Sequence, residues 1–119
     1  MPTSSPVFSL DADILTVTST LGNEILLFAP NPQAARQAVA RWAQTWDISL
    51  DFTRPLASYS GGEQVLLVAG LWAHLLAHHP PFCLDLRSSA KVLSPENRAR
   101  LKELLRAALP HAQIVMDAP

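Results

Sequence analysis

The segment Val65–Ala77, VLLVAGLWAHLLA, constrains this chain more than any other stretch: it runs thirteen residues without one Asp, Glu, Lys or Arg. Crossing a bilayer takes roughly twenty consecutive apolar residues, so a run of this length reads as a helix buried in a globular domain. It is apolar on nearly every side, and such a helix is covered on more than one face. Any fold for this sequence must therefore bring other elements against residues 65–77 from several directions. The chain has 119 residues, 49% hydrophobic and only 16% charged, against about a quarter charged in an average soluble domain. That length suits one domain burying roughly two-thirds of the unfolded chain's surface, and the composition excludes disorder for most of it. So few charges also leave apolar surface to be covered by an oligomer or a bound partner.

Local signals place the remaining elements around that helix. Residues 1–10 read as a flexible leader, and residues 11–119 as a single domain. Ile14–Thr18 is β-branched and predicts a strand. After the turn signal Leu21-Gly22-Asn23, Glu24–Phe28 predicts a second, central strand, close enough to the first for an N-terminal hairpin. Asn31 suits an N-cap and Pro32 a first helical position. Ala35, Ala38, Val39, Trp42 and Trp46 then recur at helical spacing on the buried side, with Arg36, Gln37, Arg41 and Gln44 facing out. Ile48–Phe52 reads as a short strand, and Ser60-Gly61-Gly62-Glu63 opens the apolar helix, Gln64 to about His78. Phe82–Leu86 predicts a central strand. Ser94-Pro95-Glu96 caps a last helix with Leu101, Leu104, Leu105 and Ala108 on one stripe, and Gln113–Met116 forms a final strand. Strands alternating with helices predict an α/β domain in three layers, its sheet mostly parallel with right-handed crossovers.

A formal net charge of −1 argues against an electrostatic nucleic-acid binder. The single cysteine, Cys83, cannot form an internal disulfide, which points to a reducing compartment. No basic start and long apolar run mark a secretory signal. The expectation is a cytoplasmic protein without a membrane span.

Several stretches, in order, resemble the ABC-type ATPases. Gly22-Asn23-Glu24-Ile25-Leu26-Leu27-Phe28-Ala29-Pro30-Asn31-Pro32 is similar to the strand and P-loop entry of that family, commonly G-E-I-L-x-L-x-G-P-N-G. Tyr59-Ser60-Gly61-Gly62-Glu63-Gln64 resembles the signature motif, and Phe82-Cys83-Leu84-Asp85 the Walker B strand. Ser94-Pro95-Glu96-Asn97-Arg98 resembles the segment after the D-loop, and Ile114-Val115-Met116 the strand before the switch histidine. The SGGE form also resembles SMC and DNA-repair heads of the same superfamily. The resemblance covers most of residues 12–117 and implies P-loop NTPase-like topology with the helical subdomain missing. The catalytic positions depart from the family. A working P-loop wraps phosphate with backbone N–H groups and a lysine, yet Ala35 stands at the lysine position and Arg36 at that of the magnesium-binding Ser/Thr. Pro32 removes an N–H, Leu86 replaces the catalytic glutamate, and Asp117 falls near the switch histidine. ATP hydrolysis is not expected.

Each candidate residue has a functional and a plain structural reading. Ser60, Gly61 and Gly62 head a helix whose N–H groups attract anions; the resemblance implies contact with a γ-phosphate held by an opposite subunit. Ser60-x-x-Glu63 is equally a capping box. Asn31 and Arg36 belong to the degenerate P-loop, and Asp85 matches the magnesium-binding aspartate, but Asp85 can simply pair with Arg87. His74 and His78, four apart, suit zinc if His79, Cys83 or His111 joins them, or else favour the helix dipole. Ser60, Asp85 and His111 could be drawn as a hydrolase triad, but no G-x-S-x-G elbow accompanies them. Arg87, Lys91, Arg98, Arg100, Lys102 and Arg106 form a basic set interrupted by Glu96 and Glu103, suited to an acidic partner or to a solvated helix face.

The resulting expectation is a catalytically inactive ABC-ATPase-like domain with no cofactor of its own. It would act as a homodimer, or in a hetero-complex with an active ATPase or another protein, through the region Val65–Leu76 and the tryptophan-bearing helix. One alternative is a regulatory domain holding ATP or ADP weakly, with Mg, through Asp85 and the residual loop. Another is a small metal- or nucleic-acid-binding accessory protein.

Overall fold

Three helix starts are written into the chain as side-chain caps. The Asn31 carbonyl accepts from the Ala34 N–H (3.1 Å), the Ser60 hydroxyl from the Glu63 N–H (3.1 Å) and the Ser94 hydroxyl from the Asn97 N–H (3.2 Å). Each satisfies a backbone donor that the first helical turn leaves without a partner. The computed structural model describes residues 6–9 and 20–116. Its order is β1 (Val7–Ser9), α1 (Leu21–Phe28), α2 (Pro32–Thr45), α3 (Gly61–Leu75), β2 (Phe82–Asp85), α4 (Pro95–Ala108) and β3 (Ala112–Val115), with 3-10 turns at Leu56–Ser58 and Ser89–Val92. The expected strand Ile14–Thr18 and Asp117 lie outside the described residues.

The described strands form one parallel sheet in the order β1-β2-β3. Phe8 pairs with Leu84 and Leu84 with Ile114. Strand β1 falls inside the stretch expected as a leader, so the sheet reaches back to Val7. Phe82, Leu84 and Ile114 are buried, whereas Val7 and Gln113, on the alternating positions, are exposed. The β2–β3 crossover is α4, which buries Leu101 and Leu105 completely, along with Leu109 just past its end; Ala108, expected on this stripe, is exposed.

Helix α3 is the hub: it contacts α1, α2, α4 and the 3-10 turn after β2. Val65 to Leu71 are all buried. The first half of the apolar run, Val65–Leu71, is therefore consumed inside the fold, whereas Trp72, His74, Leu75 and Ala77 in its second half are only partly buried. The helix packs most closely with α2, where Trp42 Nε1 donates to the Leu66 carbonyl at 2.7 Å. Gly70 makes room for the ring: a Cβ there would lie 2.5 Å from Trp42 Cγ. Trp42 and Trp46 are themselves only partly buried, and Ala35, Val39 and Ala43 are the deeply buried stripe of α2.

Two expected strands are absent. Glu24–Phe28 belongs to helix α1, so the N-terminal hairpin does not form. A five-residue apolar run fits a strand or a helix, and here the flanks decide. Thr20 caps the helix by accepting from the Asn23 N–H (3.1 Å), and Gly22 donates its N–H to the Phe52 carbonyl (3.1 Å). A Cβ on Gly22 would stand 2.9 Å from that oxygen. Ile48–Phe52 is irregular because Ile48 terminates α2. Asp47 takes φ 57°, Ile48 N–H returns to Ala43 O (2.9 Å) and Asp47 N–H to Gln44 O (3.1 Å). This is the double-bonded left-handed helix stop usually built on glycine.

The stretch Ala29–Arg36 thus joins helix to helix, not strand to helix, so its P-loop-like residues have no strand in front of them. None of the described helices is long and apolar enough to cross a membrane.

Candidate functional site

The N-termini of α3 and α4 border one polar cleft of about 260 Å³. Ser60, Gly62 and Glu63 line it from α3, Ser94, Asn97 and Arg100 from the α4 side, and Trp46 and Asp47 from the end of α2. Both helix ends carry partial positive charge. The Arg100 guanidinium lies 4.5 Å from the centre of the Trp46 ring and donates to the Thr45 carbonyl (2.7 Å). Opposing this positive field are the carboxylates of Glu63 and Asp47. The Ser60 and Glu63 side chains are already engaged in a reciprocal capping box, each accepting the other's N–H at 3.1 Å. A buried Tyr59 braces the approach: its hydroxyl donates to the Asp51 carbonyl and accepts the Asp51 N–H, both at 3.0 Å. Arg54 stacks on the Tyr59 ring at 4.1 Å. Hydrogen bonds from the Thr53 hydroxyl and N–H hold the Asp51 carboxyl below its ordinary range.

The other candidate residues lie elsewhere. Asn31 lines a second, apolar cleft of about 260 Å³ with Pro30, Ala34, His74, Leu75, Ala77 and His78. This cleft is at the C-terminal end of α3, about 20 Å along the helix from Ser60 at a rise of 1.5 Å per residue. Arg36 sits over the Phe52 ring at 5.2 Å. Asp85 ends β2 in a fork with Arg87, whose Nη2 is 2.8 Å from Oδ2, while Oδ1 accepts the Arg87 N–H at 3.0 Å. The side-chain hydrogen bonds from Arg87, then its backbone N–H, hold the Asp85 carboxyl below the ordinary aspartate value. Of the two readings of Asp85, the structure shows the pairing with Arg87.

The histidines divide into two groups. His74 and His78 share the apolar cleft, whereas His79 and His111 pack edge-on against Phe82 at 5.3 and 5.5 Å. Among the described residues no group of three or more His, Cys, Asp or Glu is placed to hold a metal ion. His111 meets the first residue of β2 and Asp85 is the last, about 10 Å further on, so the Ser60–Asp85–His111 triad is not assembled. The basic set also separates: Arg98 and Lys102 line a cavity of about 240 Å³ beside Met116, Arg100 turns to Trp46, and Arg87 is held by Asp85.

One surface was not legible from the residues alone. On α1, three consecutive large apolar side chains point outward: Leu26 is 65% exposed, Leu27 57% and Phe28 39%. The Phe28 ring rests 5.7 Å from that of Trp72 on α3. Read as a strand, this segment hides its apolar residues in the core; as a capped helix it turns Leu21, Gly22, Glu24 and Ile25 inward and leaves Leu26, Leu27 and Phe28 exposed. Compared with known proteins, the chain matches no family model and no curated sequence.

Proposed function

We propose that the chain acts as a non-catalytic docking module whose working surface is the apolar ridge of α1. The observation that carries this reading is the run Leu26-Leu27-Phe28, exposed beside a core that already encloses Val65 to Leu71. Three adjacent exposed large apolar side chains cost solubility unless a partner covers them. A photoreactive phenylalanine analogue at position 27 tests the reading inside cells. A discrete cross-linked protein is expected from position 27 and not from the exposed Gln44 on α2. Absence of any adduct from position 27 refutes the reading.

A second reading rests on the polar cleft. Its support is the convergence of two helix N-termini, one headed by Ser60-Gly61-Gly62, on a single cleft. In the ABC-like arrangement that cleft would complete a nucleotide site on an active partner ATPase, with no turnover by this chain. On this reading Mg-ATP alone leaves the unfolding temperature of the isolated chain unchanged. A rise with ligand concentration would favour the weak nucleotide-binding alternative, because a ligand that binds only the native state stabilises it.

A further inference from the structure

We propose that the cavity between the start of α4 and the end of β3 binds the phosphate group of a small phosphate monoester, held by Arg98 and Lys102. Both side chains line it, beside the buried Met116 that follows β3. They stand four residues apart on α4, so the helix sets them next to each other on one face. No acid balances them there. Neither has an Asp or Glu three or four residues away along the helix, and none lines the cavity. Glu96 and Glu103, which interrupt the basic set in the sequence, are instead spaced to meet Arg100. That side chain lies about 200° around the helix from both Arg98 and Lys102 and turns to Trp46 and the polar cleft. The cavity is thus separate from that cleft and from the exposed surface of α1.

Arg98 and Lys102 are each partly buried. The Arg98 guanidinium makes no hydrogen bond or ion pair among the described residues. Two like charges held side by side and partly removed from water raise each other's energy, and an anion bound between them lowers it. Charge and shape select the anion. A phosphate monoester carries close to two negative charges at neutral pH and three acceptor oxygens, against one charge on a carboxylate. One guanidinium and one ammonium match that dianion, and the guanidinium fork grips two phosphate oxygens at once. The size is also selective. A volume of about 240 Å³ lies below the range of about 300–1,000 Å³ for drug-sized ligands, and Pro95, Ala99 and Met116 supply apolar wall. The remainder of the ligand is therefore short and uncharged. The place fits as well, since open α/β sheets take ligands beyond the carboxyl ends of their strands, and Met116 follows the last residue of β3.

The ¹H–¹⁵N spectrum of the full chain, titrated with inorganic phosphate and with glycerol 3-phosphate at constant ionic strength, reads the site residue by residue. Saturable shifts at Ala99, Met116 and the Arg98 side-chain N–H are expected with both probes, at a Kd of about millimolar order. Sodium acetate over the same range should produce none. Arg98→Gln and Lys102→Gln should each weaken glycerol 3-phosphate binding about tenfold, and each variant's own spectrum reports that it is folded. Arg106→Gln, on the same helix but outside the cavity lining, should change it less than about twofold, because solvent and salt screen its charge. Absence of saturable shifts with glycerol 3-phosphate overturns the proposal. So does binding that neither Arg98→Gln nor Lys102→Gln weakens, or that Arg106→Gln weakens as much. Acetate binding as tightly as the monoester overturns the choice of phosphate. Shifts confined to Ser60–Glu63 put the ligand in the polar cleft and overturn this site.

Discussion

Gly70→Ala should destabilise the protein although alanine is the better helix former. In the interior of a helix, replacing glycine by alanine gains about 1 kcal/mol from backbone propensity. Position 70 of α3 has no space to realise that gain. The added Cβ would lie 2.5 Å from Trp42 Cγ and 2.7 Å from Nε1, inside any normal contact distance and against a rigid ring. The ring must move, which overpacks the α2–α3 contact at a cost of about 1–3 kcal/mol. Its movement also breaks the Trp42 Nε1 bond to Leu66 O, at about 1 kcal/mol more. The net expectation is a loss of about 1–3 kcal/mol, or roughly 4–12 °C in Tm for a domain of this size. Urea unfolding followed by tryptophan fluorescence reads the midpoint, with the m-value expected to stay constant. Gly62→Ala is the internal control. It changes the same residue type in the same helix, but its Cβ meets Leu93 Cδ2 at an ordinary 3.6 Å, so it should be neutral or mildly stabilising. In a Trp42→Phe background the cost of Gly70→Ala should shrink, because contacting residues couple by about 0.5–3 kcal/mol. A neutral or stabilising Gly70→Ala, or strict additivity with Trp42→Phe, would refute this account of the α2–α3 packing.

Two further expectations follow from the helix stop and the strand end. Asp47→Gly should raise the urea midpoint, gaining about 0.5–1 kcal/mol, because Asp47 holds the left-handed φ of 57° that costs a side-chain-bearing residue energy; a lowered midpoint would mean the aspartate side chain itself secures the turn. Asp85 should titrate below the ordinary 3.8, and Arg87→Ala should return it toward that value. Since the folded pKa is the depressed one, the stabilisation is present above pH 3.8 and is lost as pH falls through the folded value. The Tm difference between parent and Arg87→Ala should therefore close on acidification, and an unmoved Asp85 titration in the variant would count against the fork.

Much of the architecture could be read in advance where the signal was local and chemical. The Asn31-Pro32, Ser60-x-x-Glu63 and Ser94-Pro95 starts are caps that act within one helical turn, and Phe82–Asp85 and Ala112–Val115 are short apolar runs between breakers. The misreadings arose where a tertiary contact decided between two local possibilities. Glu24–Phe28 fits a strand until Gly22 is placed against Phe52, thirty positions away. Ile48 fits a strand until Asp47 is seen to occupy a conformation that usually announces itself as glycine. The candidate site was legible residue by residue but not as an assembly. Each expected role of Ser60, Asn31 and Asp85 as a cap or ion-pair partner could be read from neighbours in the chain. Their separation to opposite ends of α3 and β2 could not, because it depends on how the helices stack.

The pairing of β1 with β2 also sets a timetable. Val7 finds its register opposite Cys83, so 76 residues separate the two halves of that ladder. A ribosome adding about 5–20 residues per second makes β2 some 4–15 s after β1. During that interval α1 and α2 have emerged, but β1 still waits for β2, its neighbour in the sheet, and Trp42 waits for Leu66 and Gly70. The sheet can close only after β2 and β3 have been made, so the nascent chain carries its apolar segments unprotected for seconds. That interval is when a holdase chaperone would find most to bind.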